Sequence, residues 1–352
     1  MALLQKRFCA AASCFVASTM LSLALHAQAL SPQAGLVNRN ASAYNAVNAT
    51  LYLVDTSHNA VTLISAGGKV SSIPVGQRPD AVAVNNRTGR VYVVNPGSKN
   101  VSVIDGNAGN VIATVATAAR PYAIAVDEVE NKIYVSNTFS NMLTVIDGAT
   151  DTASNLKVGS ADAVMVDSDR HRIYLLGYES DSLTEINPAD GSTAKIPAGA
   201  MHLWGLARSG STLYVSHLQD SSIAAVDLTT HSIHTIATGA MPCAIVEDAT
   251  RDELYVANYS DGTVTVVHHQ QPIAAIPVAA RPQSLALDRD KGLLYVASPQ
   301  QNQVTVIDLR KRLVVRRLHV DEHPYAVAIH PVTHTAFAIN LSGTSYTPLK
   351  GE

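Results

Sequence analysis

The chain has 352 residues, of which 47% are apolar and only 15% are charged, and its formal net charge is −3 at pH 7. This composition argues against an intrinsically disordered chain. The slightly acidic balance argues against a broad electrostatic contact with nucleic acid, which needs a surplus of Lys and Arg. The length fits one large all-β domain or two ordinary domains, so the number of domains must come from the sequence pattern.

The first 29 residues have the pattern of an export signal. Lys6 and Arg7 precede an apolar run over residues 8–25, which ends close to the small-residue motif A-Q-A at 27–29. A permanent membrane anchor is the alternative, but a polar segment follows the motif. We therefore predict that residues 1–29 are a cleaved signal peptide, that the mature protein is periplasmic or secreted, and that it has no membrane span.

Removal of this segment leaves a single cysteine. Cys9 and Cys14 lie within the predicted signal peptide, and Cys243 is the third and last cysteine of the chain. The mature protein is therefore expected to have no intrachain disulfide.

A unit of about 41 residues repeats along the rest of the chain. Residues 90–106, RVYVVNPGSKNVSVIDG, alternate apolar and polar positions, turn through Asn, Pro, Gly and Ser, and alternate again, which is typical of a β-hairpin. An aromatic anchor recurs in each copy at steps of 40 to 42 residues, at Tyr52, Tyr92, Tyr134, Tyr174, Tyr214, Tyr255, Tyr295 and Phe337.

Two further strands complete each unit. A short strand of small apolar residues precedes most anchors, such as AVAV at 81–84, and a fourth strand follows the hairpin, such as VIATV at 111–115. The unit that contains WGLA at 204–207 is the irregular one. Four strands in 40 to 45 residues are the signature of a β-propeller blade.

The sequence thus predicts an all-β protein with a single β-propeller over residues 30–352. Eight anchors favour eight blades, with seven as the alternative. The last unit reaches only its third strand, at 346–349, so we expect residues 35–39 to supply its fourth strand and to close the ring by joining the N- and C-terminal strands.

The repeated residues are interpreted as scaffold. The aromatic anchors are expected to fill the core between neighbouring blades. Four aspartates, each thirteen residues after an anchor, are expected to cap the backbone of the following turn: Asp105, Asp147, Asp227 and Asp308.

The motifs I-Y-V-S-N at 133–137, L-Y-V-A-N at 254–258 and V-T-V-I-D at 304–308 resemble the YVTN-type β-propeller repeat. That family includes periplasmic YncE-like proteins and archaeal surface-layer proteins. The resemblance implies a propeller fold, commonly with seven blades. It also implies, by analogy alone, candidate roles in binding single-stranded DNA or as a part of a redox enzyme.

Candidate binding residues lie in the loops that lead into the first strand of each unit. In four of these loops a cationic or titratable residue directly precedes Pro, at Arg78, Arg120, Arg281 and His323. These belong to units two, three, seven and eight, which are neighbours across the join when the ring closes. Met201 and Met241 are expected at the corresponding positions on the opposite side.

We therefore expect one half of the channel mouth to be cationic and flanked by Tyr122 and Tyr325. Such a surface can hold a carboxylate, a phosphate or an acidic segment of a partner. The alternative is that each Arg pairs with a neighbouring carboxylate such as Asp80 or with loop carbonyls. His217 and Tyr259, in turns of the same rim, are further candidates.

We identify no catalytic residue, metal site or cofactor site from sequence. The thirteen histidines show no recognised metal-binding spacing. His231 and His234 could meet His268 and His269 from the next unit and bind zinc, but solvated turn histidines are the favoured interpretation. The sequence also lacks a G-x-S-x-G elbow, a P-loop and a C-x-x-C-H motif.

Two functions from different classes remain. The favoured one is an exported, monomeric, non-enzymatic propeller that binds a protein, a peptide or an anionic ligand at the channel mouth. The alternative is an exported enzyme or enzyme subunit that uses the same mouth, either a lactonase-like hydrolase or a partner in periplasmic oxidation.

Overall fold

A computed structural model describes residues 40–138, 140–159, 161–320, 323–341 and 345–349. Over these residues the chain forms 31 β-strands and one short 3-10 helix at Pro299–Gln301. The predicted all-β class is confirmed. The predicted signal peptide and the predicted closing strand at 35–39 lie outside the described residues.

Each repeat folds into one antiparallel sheet, which we call a blade, and the strands of a blade follow one another in chain order. Blades 1 to 4 contain the following strands: β1 Ser42–Asn45, β2 Thr50–Asp55, β3 Ala60–Ser65, β4 Val70–Pro74; β5 Ala81–Asn85, β6 Arg90–Asn95, β7 Asn100–Asp105, β8 Asn110–Ala116; β9 Pro121–Asp127, β10 Lys132–Asn137, β11 Met142–Asp147, β12 Thr152–Lys157; β13 Ala163–Asp167, β14 Arg172–Leu176, β15 Ser182–Ile186, β16 Thr193–Pro197.

The second half of the chain repeats this arrangement. Blades 5 to 8 contain the following strands: β17 Leu203–Ser209, β18 Thr212–His217, β19 Ser222–Asp227, β20 Ile233–Ala237; β21 Pro242–Asp248, β22 Glu253–Asn258, β23 Thr263–His268, β24 Gln271–Pro277; β25 Ser284–Asp288, β26 Leu293–Ser298, β27 Gln303–Asp308, β28 Leu313–His319; β29 Pro324–Ile329, β30 Ala336–Asn340, β31 Tyr346–Leu349. Blade 8 has three strands within the described residues.

The eight blades form a closed ring, as the favoured count predicted. Blade 8 packs against blade 1, because Tyr325 and Ile339 share one buried cluster with Leu51 and Leu53. Each four-stranded sheet has two apolar faces, and stacking in a ring covers both of them. Within the described ranges, no helix is long and apolar enough to cross a membrane.

The aromatic anchors form the core between blades. Each of the eight is at most 7% exposed. Tyr92 of blade 2, for example, lies in one cluster with Ile124 and Ile133 of blade 3. Burial of a large side chain contributes on the order of 1.5–3 kcal/mol. Each copy gains this energy only if its anchor reaches the interface between blades, which explains the nearly constant spacing of the anchors.

The four repeated aspartates cap turns, as predicted. Asp105 Oδ1 accepts hydrogen bonds from the backbone N–H groups of Asn107 and Ala108, both at 2.9 Å. These bonds favour the charged carboxylate and hold the pKa of Asp105 below its usual value. Asp147, Asp227 and Asp308 repeat the arrangement in their own turns.

The up-and-down order of the strands creates two faces. The loops that lead into each first strand and the turns between second and third strands lie on one face, which we call the mouth face. The turns between first and second strands and between third and fourth strands lie on the other, the base face. The predicted grouping is confirmed in blade 2, where Gly97 of the second-to-third turn donates to the Gln77 carbonyl at 3.0 Å.

Candidate functional site: the mouth of the channel

The first strands line a central channel that contains a cavity of about 580 Å³. Its walls are mainly apolar side chains from blades 1 to 6, with Asn40, Tyr44 and Asn86 among the polar members. None of the described residues lining this cavity carries a carboxylate. The described wall of this cavity therefore offers no acidic side chain as a ligand for a metal ion.

The loops leading into the first strands, which we call the mouth loops, share an unusual backbone conformation. In six of them, one residue has a left-handed backbone, with φ between 53° and 59°. It directly precedes the Pro of the loop or, in blade 5, the first strand: Arg78, Arg120, His202, Met241, Arg281 and His323. Residues without a glycine's freedom rarely adopt this conformation, and Pro favours an extended residue before it. Recurrence in six blades indicates that the fold imposes it.

Hydrogen bonds to the second-to-third turns hold these residues in place. The carbonyl groups of Arg120, His202, Met241 and His323 each accept a bond from the backbone N–H of the first residue after the second strand of the same blade, at 2.9–3.1 Å. The Arg78 N–H donates to Asn59 Oδ1 of blade 1 at 2.7 Å, and the His323 N–H donates to Asn302 Oδ1 of blade 7 at 2.9 Å. These bonds fix the backbone at five of the six left-handed positions, all except that of Arg281.

The register of blade 5 corrects one sequence prediction. Leu203 pairs with His217, just as Pro242 of blade 6 pairs with Asn258. His202, and not Met201, therefore occupies the position that corresponds to Met241. Blade 5 has no Pro in this loop to mark the register, so the repeat pattern did not distinguish His202 from Met201.

The four cationic or titratable residues predicted for the mouth all have exposed side chains. Arg78, Arg120, Arg281 and His323 occupy the same left-handed position in blades 2, 3, 7 and 8. Blades 7 and 8 lie on one side of blade 1, and blades 2 and 3 lie on the other. The structure thus places these side chains along one half of the rim, which we call the cationic half.

Arg281 is held by neighbours from two blades. Its guanidinium donates to Gln300 Oε1 in the 3-10 turn of blade 7, and Gln300 Nε2 donates to the Tyr259 hydroxyl at 3.1 Å. The guanidinium carbon also lies 5.8 Å from the centre of the Tyr259 ring, within range of a cation–π contact. Burial raises the pKa of Tyr259, partly offset by the Arg281 charge. Gln300 was not among the residues predicted from sequence.

Tyr122 and Tyr325 lie below the rim rather than on it. They follow the Pro of their mouth loops, and they are 5% and 4% exposed. Tyr325 belongs to the buried cluster between blades 8 and 1. The predicted place of the two rings on the surface of the rim is therefore wrong.

His217 is buried at 1% exposure and both of its ring nitrogens have partners. Nε2 lies 2.8 Å from the Ala198 carbonyl, which requires Nε2–H to donate, and Nδ1 lies 3.3 Å from Ser222 Oγ. Burial lowers the pKa of His217. Blades 2, 3, 6 and 8 have Asn at this position, with Nδ2 bonded to a Ser or Thr of the third strand, so His217 is part of the scaffold.

The opposite half of the rim, on blades 4 and 5, is aromatic. The Tyr178 ring makes edge contacts with His202 and Trp204, at centroid distances of 5.1 and 5.7 Å. Asp162 lies beside them, is 8% exposed, and accepts a bond from the Tyr178 N–H at 2.7 Å. Burial raises the pKa of Asp162. The two halves of the mouth therefore differ in chemistry.

No protein-family model matches the sequence, and no curated protein matches it. Solved structures do match. The hydrazine synthase of Kuenenia stuttgartiensis is 18% identical, with a TM-score of 0.59 over 89% of this chain and 96% of that chain. Dihydro-heme d1 dehydrogenase NirN is 15% identical, with a TM-score of 0.69 over 81% of this chain and 67% of that chain.

A streptogramin B lyase structure is 12% identical, with a TM-score of 0.61 over 75% of this chain and 91% of that chain. Likeness at these identities shows the fold alone, because a propeller hosts many unrelated functions. The comparisons and the structure together establish an eight-bladed β-propeller, and the YVTN-type resemblance stays a prediction.

Proposed function

We propose that this chain is an exported, non-enzymatic β-propeller of the YVTN type that binds an acidic segment of a protein or peptide at the cationic half of its mouth. The observation that carries the proposal is the repeated left-handed position, at which Arg78, Arg120, Arg281 and His323 occur in the loops of blades 2, 3, 7 and 8. The chemistry of the ligand follows from these side chains, since guanidinium groups form paired, charge-assisted hydrogen bonds with carboxylates.

Preorganisation supports this role. The contacts of Arg281 with Gln300 and Tyr259 restrict its side chain before any ligand arrives. Binding then loses less side-chain entropy than it would with a mobile Arg, for which the cost is about 0.5–1.5 kcal/mol. The aromatic half of the rim offers Tyr178 and Trp204 for apolar residues of the same segment.

The enzymatic alternative has weaker support. The cavity in the channel is walled by apolar and amide side chains, without a carboxylate among the described lining residues. The candidate residues of the mouth lie on loops at the surface, and the buried His217 is engaged in scaffold contacts. A binding role fits this arrangement better than general acid–base chemistry does.

A fluorescent oligo-glutamate peptide tests the proposal. Its fluorescence anisotropy would be titrated with the protein and with the triple variant R78Q/R120Q/R281Q. The matched control is R87Q/K291Q/R310Q, which removes the same charge from three exposed side chains in base-face turns. We expect the mouth variant to bind at least about tenfold more weakly, which is about 1.4 kcal/mol, while the control retains affinity close to that of the wild type.

Equal losses in the two variants would show that the peptide senses net charge only and would refute a mouth site. Absence of any binding by the wild-type protein would refute the acidic-segment proposal. A single-stranded oligonucleotide of equal charge is the comparison probe. If it bound more tightly than the peptide at the same salt concentration, the nucleic-acid analogy would replace our proposal.

A further inference from the structure

The base face carries a cluster of potential metal ligands in blade 6, on the side of the propeller opposite the mouth. Asp252 lies in the turn between β21 and β22, and His268 and His269 lie at the end of β23 beside it. One potential ligand atom from each of the three side chains lies within 4.8 Å of the other two. His268 and His269 were candidates from sequence together with His231 and His234, whereas Asp252 was not a candidate.

Hydrogen bonds orient this cluster. His268 Nδ1 lies 3.0 Å from the carbonyl oxygen of Asp252, so this nitrogen must carry the proton that it donates. The other nitrogen, Nε2, is then unprotonated in the neutral ring and available to a metal. A bond from the second ring nitrogen to a carbonyl or carboxylate is the usual arrangement of metal-binding histidines.

The remaining two potential ligands are adjacent and exposed. His269 Nδ1 lies 2.7 Å from Asp252 Oδ2, and these side chains are 72% and 62% exposed. An ion bound by these two atoms replaces the proton that they share, which is released to solvent. The two imidazole rings lie 3.9 Å apart between centroids. Metal bonds to nitrogen and carboxylate oxygen are about 2.0–2.2 Å long, so small side-chain rotations bring the three ligand atoms around one ion.

A cavity beside the cluster shares two of its residues. It has a volume of about 380 Å³, lies between blades 5 and 6, and has Asp252 and His269 in its wall together with Glu247 and Tyr214. Burial raises the pKa of Tyr214, and the negative charges of Asp252 and Glu247 raise it further. Asp252, Glu247 and Glu253 thus place carboxylate groups in the wall of this cavity.

We propose that Asp252, His268 and His269 bind one divalent transition-metal ion of the zinc class at the edge of this cavity. Two imidazoles and one carboxylate favour zinc and similar metals over calcium and magnesium, which prefer oxygen ligands alone. Three protein ligands leave at least one position for water or for a small anion. The proposal does not depend on the function of the mouth.

The test is a titration of the protein with Zn²⁺ in competition with a chromophoric chelator. We expect saturable binding of one ion per chain. The double variant H268N/H269N should bind at least about tenfold more weakly. The matched control H231N/H234N removes two exposed histidines from the third-to-fourth hairpin of blade 5, and its affinity should equal that of the wild type.

Co²⁺ provides a spectroscopic check, because its visible absorption depends on the ligands around it. The wild-type protein and the control should show the same bands, and H268N/H269N should lose them. D252N is a single exchange at an exposed turn position, and it tests the site if the double variant fails to fold. Failure of the wild type to bind one ion, or equal affinity in the cluster variant and the control, would overturn the proposal.

Discussion

The exchange Tyr255→Phe tests how the blades are joined. Tyr255 is 1% exposed and packs with Leu294 and Ile307 of the next blade. Its hydroxyl donates to Glu253 Oε2, and Glu253 Oε1 accepts a bond of 2.8 Å from Arg312 Nη2 of blade 7. The tyrosine and the arginine therefore share one buried carboxylate across the interface between blades 6 and 7.

The magnitude follows from what Phe keeps and what it loses. The ring packing stays, since blade 8 naturally has Phe337 at this position. The lost hydrogen bond has a charged acceptor, and bonds of this kind contribute about 1.5–3 kcal/mol. Tyr255→Ala also removes the ring and should cost about 3–5 kcal/mol.

Tyr52→Phe is the matched control. The Tyr52 side chain is fully buried, but its hydroxyl has only long contacts, 3.3 Å from Asn48 Nδ2 and 3.4 Å from the Gly106 carbonyl. We expect its loss to cost at most about 1 kcal/mol. Urea unfolding, followed by far-UV circular dichroism and by the fluorescence of the single tryptophan, gives both free energies. A loss for Tyr255→Phe no larger than that for Tyr52→Phe would refute the reasoning.

Three more predictions follow from the described contacts. The hydrogen bond from Lys132 Nζ, at 2.6 Å, lowers the pKa of Asp147 to about 2. The contribution of the Asp147 carboxylate to stability is therefore present above the ordinary pKa of 3.8 and is lost as the pH falls towards 2. D147N should flatten the fall of the urea midpoint between these pH values, and parallel curves for D147N and the wild type would contradict this. Gly205→Ala should destabilise by about 1–3 kcal/mol in urea, because its Cβ would collide with the Cys243 carbonyl of blade 6, whereas Gly67→Ala, which has space, should change stability by less than about 0.5 kcal/mol. Burial raises the pKa of the Cys243 thiol to about 12. In a protein of residues 30–352, iodoacetamide should therefore label Cys243 only after unfolding, and labelling of the native protein would contradict the buried position.

The repeat made most of the fold predictable. The spacing of the anchors reports the length of a blade, because each aromatic side chain must reach the same interface in every copy. The role of the turn aspartates was equally predictable from sequence. Each carboxylate accepts hydrogen bonds from the backbone N–H groups two and three residues later, and this local cap does not depend on the tertiary structure. Asp105 and Tyr92 are examples of residues whose roles follow from their own segment.

The sites were less predictable because they combine distant segments. Gln300 contacts Arg281 across two turns, and Asp252 meets His268 and His269 only after blade 6 has folded. The left-handed backbone of Arg78 has no local signal, because Pro at the next position favours an extended residue. Hydrogen bonds from neighbouring turns impose that conformation, and sequence alone does not show them.

The most direct test of the central claim is an affinity capture with the mature protein from the cell envelope of its own source. Three baits would be compared: the wild-type protein, the mouth variant R78Q/R120Q/R281Q and the base-face control R87Q/K291Q/R310Q. We predict that the wild type and the control capture the same partner, that the mouth variant does not, and that the captured partner contains an acidic segment. Capture of that partner by the mouth variant at the wild-type level would contradict the account.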